Sequence, residues 1–167
     1  MSISLIKPFV VIVLFFSILS IIDLTPSQTA ERFKDNGNGA ITDNQTGLIW
    51  QKGDSHHDLG KPLSWYDALD YADRMNNKKF AGQTGWRLPT LKELRSLWDS
   101  SKPNITKDEE HIGLPKVFAS GGSYFLWAFD EQGLDMAWYF GLVKKEDYFN
   151  LKEANDLGQG VKLVREE

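Results

Sequence analysis

Cysteine is absent from this 167-residue sequence. That absence excludes disulfides, thiolate metal sites, a cysteine nucleophile and a lipoprotein-type cysteine anchor. Histidine is scarce: His56, His57 and His111 are all there is. Basic charge is also in short supply, with 19 Lys and Arg against 23 Asp and Glu and a formal charge of −4. No Lys/Arg run supplies the electrostatic footprint that nucleic acid or a long polyanion requires, so nucleic acid is not an expected partner. The chain has no nucleophile-elbow serine motif. It has no phosphate-cradling glycine motif either, because Gly37 and Gly39 lie in a turn region and not ahead of a helix. Catalysis of the common kinds has little to work with.

Long apolar runs are missing too, with one exception at the start. Phe9 to Ile22, "FVVIVLFFSILSII", is interrupted only by Ser17 and Ser20 and follows a single positive charge at Lys7. Its length suits a signal-peptide core better than a full span, which takes ~20 apolar residues. Thr25 and Ser27 offer small residues for cleavage, while Pro26 blurs the site. Residues 1–27 are therefore expected to be a signal peptide or an uncleaved signal anchor. The rest of the chain is expected to be exported, to the periplasm or beyond, with membrane contact only through that segment if it stays. Lys7 and Asp23 fall in it and cancel, so about 140 residues remain at the same charge. That is enough for one domain with a proper core and too few for two.

Residues 31–51, "ERFKDNGNGAITDNQTGLIWQ", contain Asn36-Gly37, Asn38-Gly39 and Thr46-Gly47. Such pairs accept positive φ and close hairpins. The oxygen donors Asp35, Asn36, Asn38, Asp43 and Asn44 invite a calcium-loop reading. An EF-hand loop would need a donor at Gly37 and a bidentate Glu at its twelfth position, and neither is present. Residues 52–63 read as a polar loop. Asp54, His56, His57 and Asp58 within it are conceivable metal ligands, but adjacent histidines diverge and no third lies nearby, so no metal is assigned.

Ser64-Trp65-Tyr66-Asp67 has the form of a helix start, and Trp65, Ala68, Leu69, Ala72 and Met75 follow at helical spacing. The second helix is announced by "GWRLPTLKELRSLWD", residues 85–99. Thr90 and Glu93 form a capping box, Pro89 holds Leu88 extended, and Leu91, Leu94, Leu97 and Trp98 make an apolar stripe. Residues 100–123 read as a long irregular loop. "SYFLWAFD" and "DMAWYFGLV" flank Glu131-Gln132-Gly133 as a hairpin, and "DYFNL" and "GVKLVRE" follow as strands. In the last of these, Val161 and Leu163 should face inward and Lys162 outward. The order is that of an α+β domain.

Taken together, "DNGNGAITDNQTGLIWQK", "LSWYDALDYADRM", "GWRLPTLKELRSLWD", "AWYF" and "VKLVRE" resemble the Lcl C-terminal domain family. These are domains of bacterial collagen-like adhesins and of many exported bacterial proteins. The resemblance runs in order over residues 33–165, and a domain spanning 31–167 is expected. It implies a C-type lectin-like fold: two helices packed on short antiparallel β-sheets, a long irregular loop region and termini close together. In that setting Trp86 would be core and Arg87 a structural arginine held by carbonyls or by Glu93. The resemblance also implies that Ala72 and Leu163 occupy positions where many members carry a disulfide. Formylglycine formation, known on this fold class, needs cysteines that this chain lacks.

The resemblance implies a non-catalytic recognition module for glycan or for a cell-envelope protein. The calcium-binding Glu-Pro-Asn and Trp-Asn-Asp patterns of sugar-binding C-type lectins do not occur; the nearest text is Trp127-Ala128-Phe129-Asp130. Calcium-independent binding through aromatic faces is the expectation, with Tyr124, Trp127, Trp138 and Tyr139 as candidate ligand-binding residues and no cofactor. Strand alternation should bury about half of such rings. The alternative is a metal-assisted enzyme built from the 52–63 and 100–123 loops.

Overall fold

The computed structural model describes residues 31–167, so the expected signal segment at 1–27 lies outside the described residues. Two four-stranded sheets organise the rest. The first takes β1 (Phe33–Asp35), β2 (Ala40–Asp43) and β3 (Leu48–Gln51) as successive hairpins, and β10 (Val164–Glu166) closes it against β3. The turns fall at the glycine-bearing pairs, with Gly37, Gly39 and Gly47 all at positive φ. Both ends of the described chain thus meet in one sheet.

The second sheet has the order β8-β7-β6-β9, from β6 (Phe125–Gln132), β7 (Met136–Gly141), β8 (Glu146–Leu151) and β9 (Gln159–Gly160). β9 runs parallel to β6, so this sheet is not wholly antiparallel as expected. The β6–β7 register shifts between Trp127 and Glu131, where the ladder is interrupted before pairing resumes at Glu131 and Ala137. Two short strands, β4 (Asn104–Ile105) and β5 (His111–Ile112), form a small ladder inside the long loop region.

Helix α2 (Trp65–Asn77) starts at the expected cap: Ser64 Oγ accepts the Asp67 amide at 3.0 Å. Its inward face is Trp65, Ala68, Tyr71, Ala72 and Met75; Leu69 is only partly buried. Helix α3 (Leu91–Leu97) carries the Thr90–Glu93 capping box and ends at Trp98, whose indole N–H donates to the Leu142 carbonyl at 3.0 Å. Residues 52–63 are not simply a loop. Asp54 caps a further short helix, α1 (Ser55–Leu59), with His57 completing a capping box. The signal was there in Asp54 followed three residues on by a side chain able to return the bond, but a five-residue helix has no apolar period to reveal it.

The core has two halves, one on each face of the β6–β7 hairpin. Trp127, Ala137 and Tyr139 pack with α2, Trp86, Leu88, Val161 and Leu163. Leu126, Ala128, Phe140 and Leu142 pack with α3, Ile41, Trp50, Ile112 and Phe118. A sheet covered on both faces reads as a near-continuous apolar run, as "YFLWAF" and "AWYFGLV" do.

Tertiary structure completes the account of residues 85–99. Trp86 is 2% exposed, and Asn76 of α2 binds its amide and its carbonyl, each at 2.8 Å. Arg87 gives two parallel bonds to Glu93, at 2.9 and 2.8 Å, and one to the Leu88 carbonyl. Its own backbone exchanges bonds with Val164. Trp-Arg is therefore the clasp between α2, the cap of α3 and the closing strand.

Candidate functional site

The four aromatic residues singled out from the sequence separate by burial. Trp127 is fully buried and Tyr139 is 4% exposed, so neither ring can meet a ligand. Both lie on the α2 face of the sheet, directly paired across β6 and β7 with ring centroids 5.3 Å apart. Two of the four rings are thus lost to the core, as strand alternation predicts, and the face that alternation buries is the one covered by α2. Trp138 is half-buried on the α3 face against Phe149 at 5.3 Å. Tyr124 is half-buried just before β6.

Tyr124 opens onto a cleft of about 260 Å³ lined also by Glu110, Phe125, Gly141, Val143, Lys144 and Tyr148. Its walls are built by sheet register. Tyr148 on β8 stands opposite Tyr139 on β7, and the rings stack at 5.4 Å and 18°. Phe125 meets Tyr148 edge-on at 5.7 Å and Tyr139 at 5.3 Å. Gly141 is required at the base: a Cβ there would stand 2.8 Å from Tyr148 Cε2. The rim is polar. The Tyr124 hydroxyl donates to Asp108 at 2.7 Å, and the Lys107 ammonium sits 5.5 Å from the ring centroid. The Tyr148 hydroxyl donates to Glu146, which pushes that phenol up to about 12 and keeps it protonated. Aromatic faces with phenol, carboxylate and ammonium groups at their edges suit a ligand that is apolar on its ring faces and hydroxylated at its rim. Phe125, Tyr148, Glu110 and Lys144 were not recognisable as partners from sequence, because they come from a loop, two strands and a turn.

The possible metal ligands form something else. Asp54 is 3% exposed, and its carboxylate accepts from the amides of His56 and Ser123 at 3.0 and 2.8 Å. His57 Nδ1 lies 2.8 Å from the same carboxylate, and Nε2 lies 2.9 Å from the Ser120 carbonyl. The 52–63 and 118–123 segments do meet, as an enzyme built from them would require. Their donor atoms are spent on each other: Asp54 and His57 tie α1 to the 118–123 turn. Among the described residues no cluster of three or more His, Asp or Glu could hold a metal ion. Asp58 is exposed and accepts from the Tyr71 hydroxyl, whose phenol is raised by burial and by that carboxylate. The Asp35 and Asp43 carboxylates are likewise occupied, by Lys52 and by a two-bond pair with Arg32.

Lys162 overturns its expected outward position. It is 1% exposed, and its ammonium donates to the carbonyls of Gln51, Lys52 and Gly53. Val161, Lys162, Leu163 and Val164 are all buried, because the chain leaves β9 and crosses between the two core halves before β10 begins. Burial lowers the ammonium to about 8, with the Asp54 charge opposing. Asp54 itself would be raised by burial; the His57 bond, the Lys162 charge and the Ser123 amide bring it instead down to about 2.

The family model of the Lcl C-terminal domain matches residues 39–165, from the β1–β2 turn to the closing strand. The chain belongs to this family. The match takes in both core halves, the aromatic cleft and the Asp54–Lys162 cluster, so all of these are features of one Lcl C-terminal domain. Among curated proteins, none matches the chain. The two positions that the resemblance pairs, Ala72 and Leu163, sit in the same core half of this Lcl C-terminal domain, and both are buried.

Proposed function

We propose that this chain is an exported, non-catalytic recognition module of the bacterial cell envelope, C-type lectin-like in fold, that binds carbohydrate without calcium. The observation that carries the reading is the cleft at Tyr124, Phe125 and Tyr148, with Glu110 and Lys144 at its rim. Sugar rings present C–H faces to aromatics and hydroxyls to carboxylates and phenols, which is the distribution found there. Family membership supports a binding domain outside the cell and not an enzyme. Export is supported by the apolar run at Phe9–Ile22, with tethering if the segment is retained. Helices α2 and α3, the two four-stranded sheets and the one sheet shared by both ends of the described residues support the lectin-like reading of the fold.

A glycan array probed with the full chain, with and without chelator, tests this. Saccharide binding that survives chelation is expected. Tyr124→Ala and Val143→Trp, which empty and fill the cleft, should each weaken it at least about tenfold, the loss expected from one aromatic contact. Binding unaffected by both variants, or abolished by chelation, would refute the reading.

A further inference from the structure

β8 is the last strand of its sheet, and its outer edge carries an unusual inventory. The Lys152 amide donates to the Asp135 carbonyl across the ladder, which sets the pleat. The backbone groups of Glu146, Tyr148 and Asn150 then face β7, while those of Asp147, Phe149 and Leu151 face out. Leu151 is already served, its amide by the Asn150 side chain and its carbonyl by the Ala154 amide. Asp147 and Phe149 are left as the edge. Beside it, on the α3 face, Met136 pairs with Leu151 and Trp138 with Phe149. α3 spans only Leu91–Leu97 and does not cover them, so Phe149 and Leu151 remain about half exposed.

We infer that β8 is a self-pairing edge: two copies of this chain join antiparallel through it, about a twofold axis at Tyr148, into one continuous eight-stranded sheet. In that register Asp147 of each copy opposes Phe149 of the other, and two outward residues per chain exchange four main-chain bonds with none left over. The charges favour a second copy as occupant. Within the chain Asp147 is paired with Arg95, Lys152 with Glu131, and Glu146 with the Tyr148 hydroxyl. Among the described residues, no ion pair engages Lys144 and Lys145 at the start of the strand or Glu153 and Asp156 beyond its end. Among the described residues, the Lys145 ammonium rests on the Trp98 ring and Asp156 accepts from the Asn150 amide. An antiparallel copy sets the basic turn of each chain against the acidic turn of the other, whereas a parallel one would set like against like. The apolar grids of the two copies then lie side by side on one face of the joined sheet.

The absence of cysteine makes the test clean, since any disulfide dimer reports an introduced residue. In the full chain, Tyr148→Cys places the two thiols opposite each other at the axis, while Gln45→Cys on the β2–β3 turn serves as control. Under mild oxidation Tyr148→Cys should form dimer at least tenfold faster than the control. Adding Lys145→Glu should slow it severalfold, and adding Glu153→Lys as well should restore it. Sedimentation equilibrium of the unmutated chain should show a monomer–dimer equilibrium that Phe149→Pro abolishes, because proline removes an outward amide that β7 does not use. Equal rates for Tyr148→Cys and Gln45→Cys, no rescue by the charge swap, a chain that sediments as monomer throughout, or cross-links to other proteins alone would each overturn the inference.

Discussion

At the residue scale, the cluster of Asp54, His57 and Lys162 decides how the first and last segments of the domain hold together. Asp54 caps α1, fixes the Ser123 amide and faces a buried ammonium, so its removal uncaps a helix and strands a cation at once. Asp54→Ala is expected to cost about 2–3 kcal/mol, the lost helix cap together with the unmade bonds of Ser123 and His57; chemical denaturation measures it, and a loss under about 1 kcal/mol would show that neither the cap nor those bonds hold the cluster. His57 sets a pH dependence. Its bond to Asp54 raises its pKa, against burial. Its stabilising contribution is therefore complete below the ordinary value of 6.5 and is lost as pH rises through the higher folded value. Asp54 behaves oppositely: its contribution is complete above 3.8 and is lost as pH falls toward about 2. Melting temperature should thus be highest between these limits and decline above about pH 6.5, a decline that Lys162 opposes, since it is half-deprotonated at about pH 8 in the fold and losing the buried charge relieves its desolvation. His57→Gln should flatten the alkaline decline and leave the acid one. An unchanged alkaline limb in that variant would remove His57 from the account.

At the element scale, the capping boxes explain why the helices start where they do. Thr90 Oγ1 accepts the Glu93 amide at 3.2 Å, and Glu93 returns a bond to the Thr90 amide at 2.7 Å while holding Arg87. Thr90→Ala is expected to lower stability by about 1 kcal/mol. Arg87→Lys should cost at least as much although charge is kept, because an ammonium cannot reproduce the two parallel bonds. Equilibrium unfolding of the two variants checks both; a neutral Arg87→Lys would mean that the clasp works as a point charge. The sequence spelled these elements out because caps and apolar spacing are local. It hid α1, which is too short to show a period. It also hid the partial exposure of Trp138, which depends on where α3 ends over a sheet far away in sequence.

At the scale of the whole molecule, the closing segment is what joins the two core halves. Val161 and Leu163 pack with α2, Val164 packs with α3, and Lys162 between them ties down the 51–53 carbonyls. Ala72 and Leu163 share one of these halves, and both are buried. Ala72→Cys with Leu163→Cys should oxidise to a bridge and stabilise the fold by about 2–4 kcal/mol, chiefly by constraining the unfolded chain. A non-reducing gel and a melt before and after reduction read both effects. Failure to bridge would show that the Cβ atoms diverge. Chelator should leave the same melt unmoved, because the carboxylates of Asp35, Asp43 and Asp54 already hold protein partners.

The sequence by itself determined the α+β class, the hairpin turns and the caps of α2 and α3, each of which rests on spacing within a few residues. The core place of Trp86 and the structural role of Arg87 came only with the family resemblance, and the fold decided that Arg87 spends its fork on Glu93. Tertiary structure alone decided which aromatic rings are reachable. Trp127 and Tyr139 are lost to the core because α2 covers their face, while Tyr148 and Phe125, silent in the sequence, meet Tyr124 across strands and form the cleft. Lys162 and Asp54 were equally illegible. A charged side chain reads as solvent-facing until the fold supplies three carbonyls and a counter-charge from more than a hundred residues away.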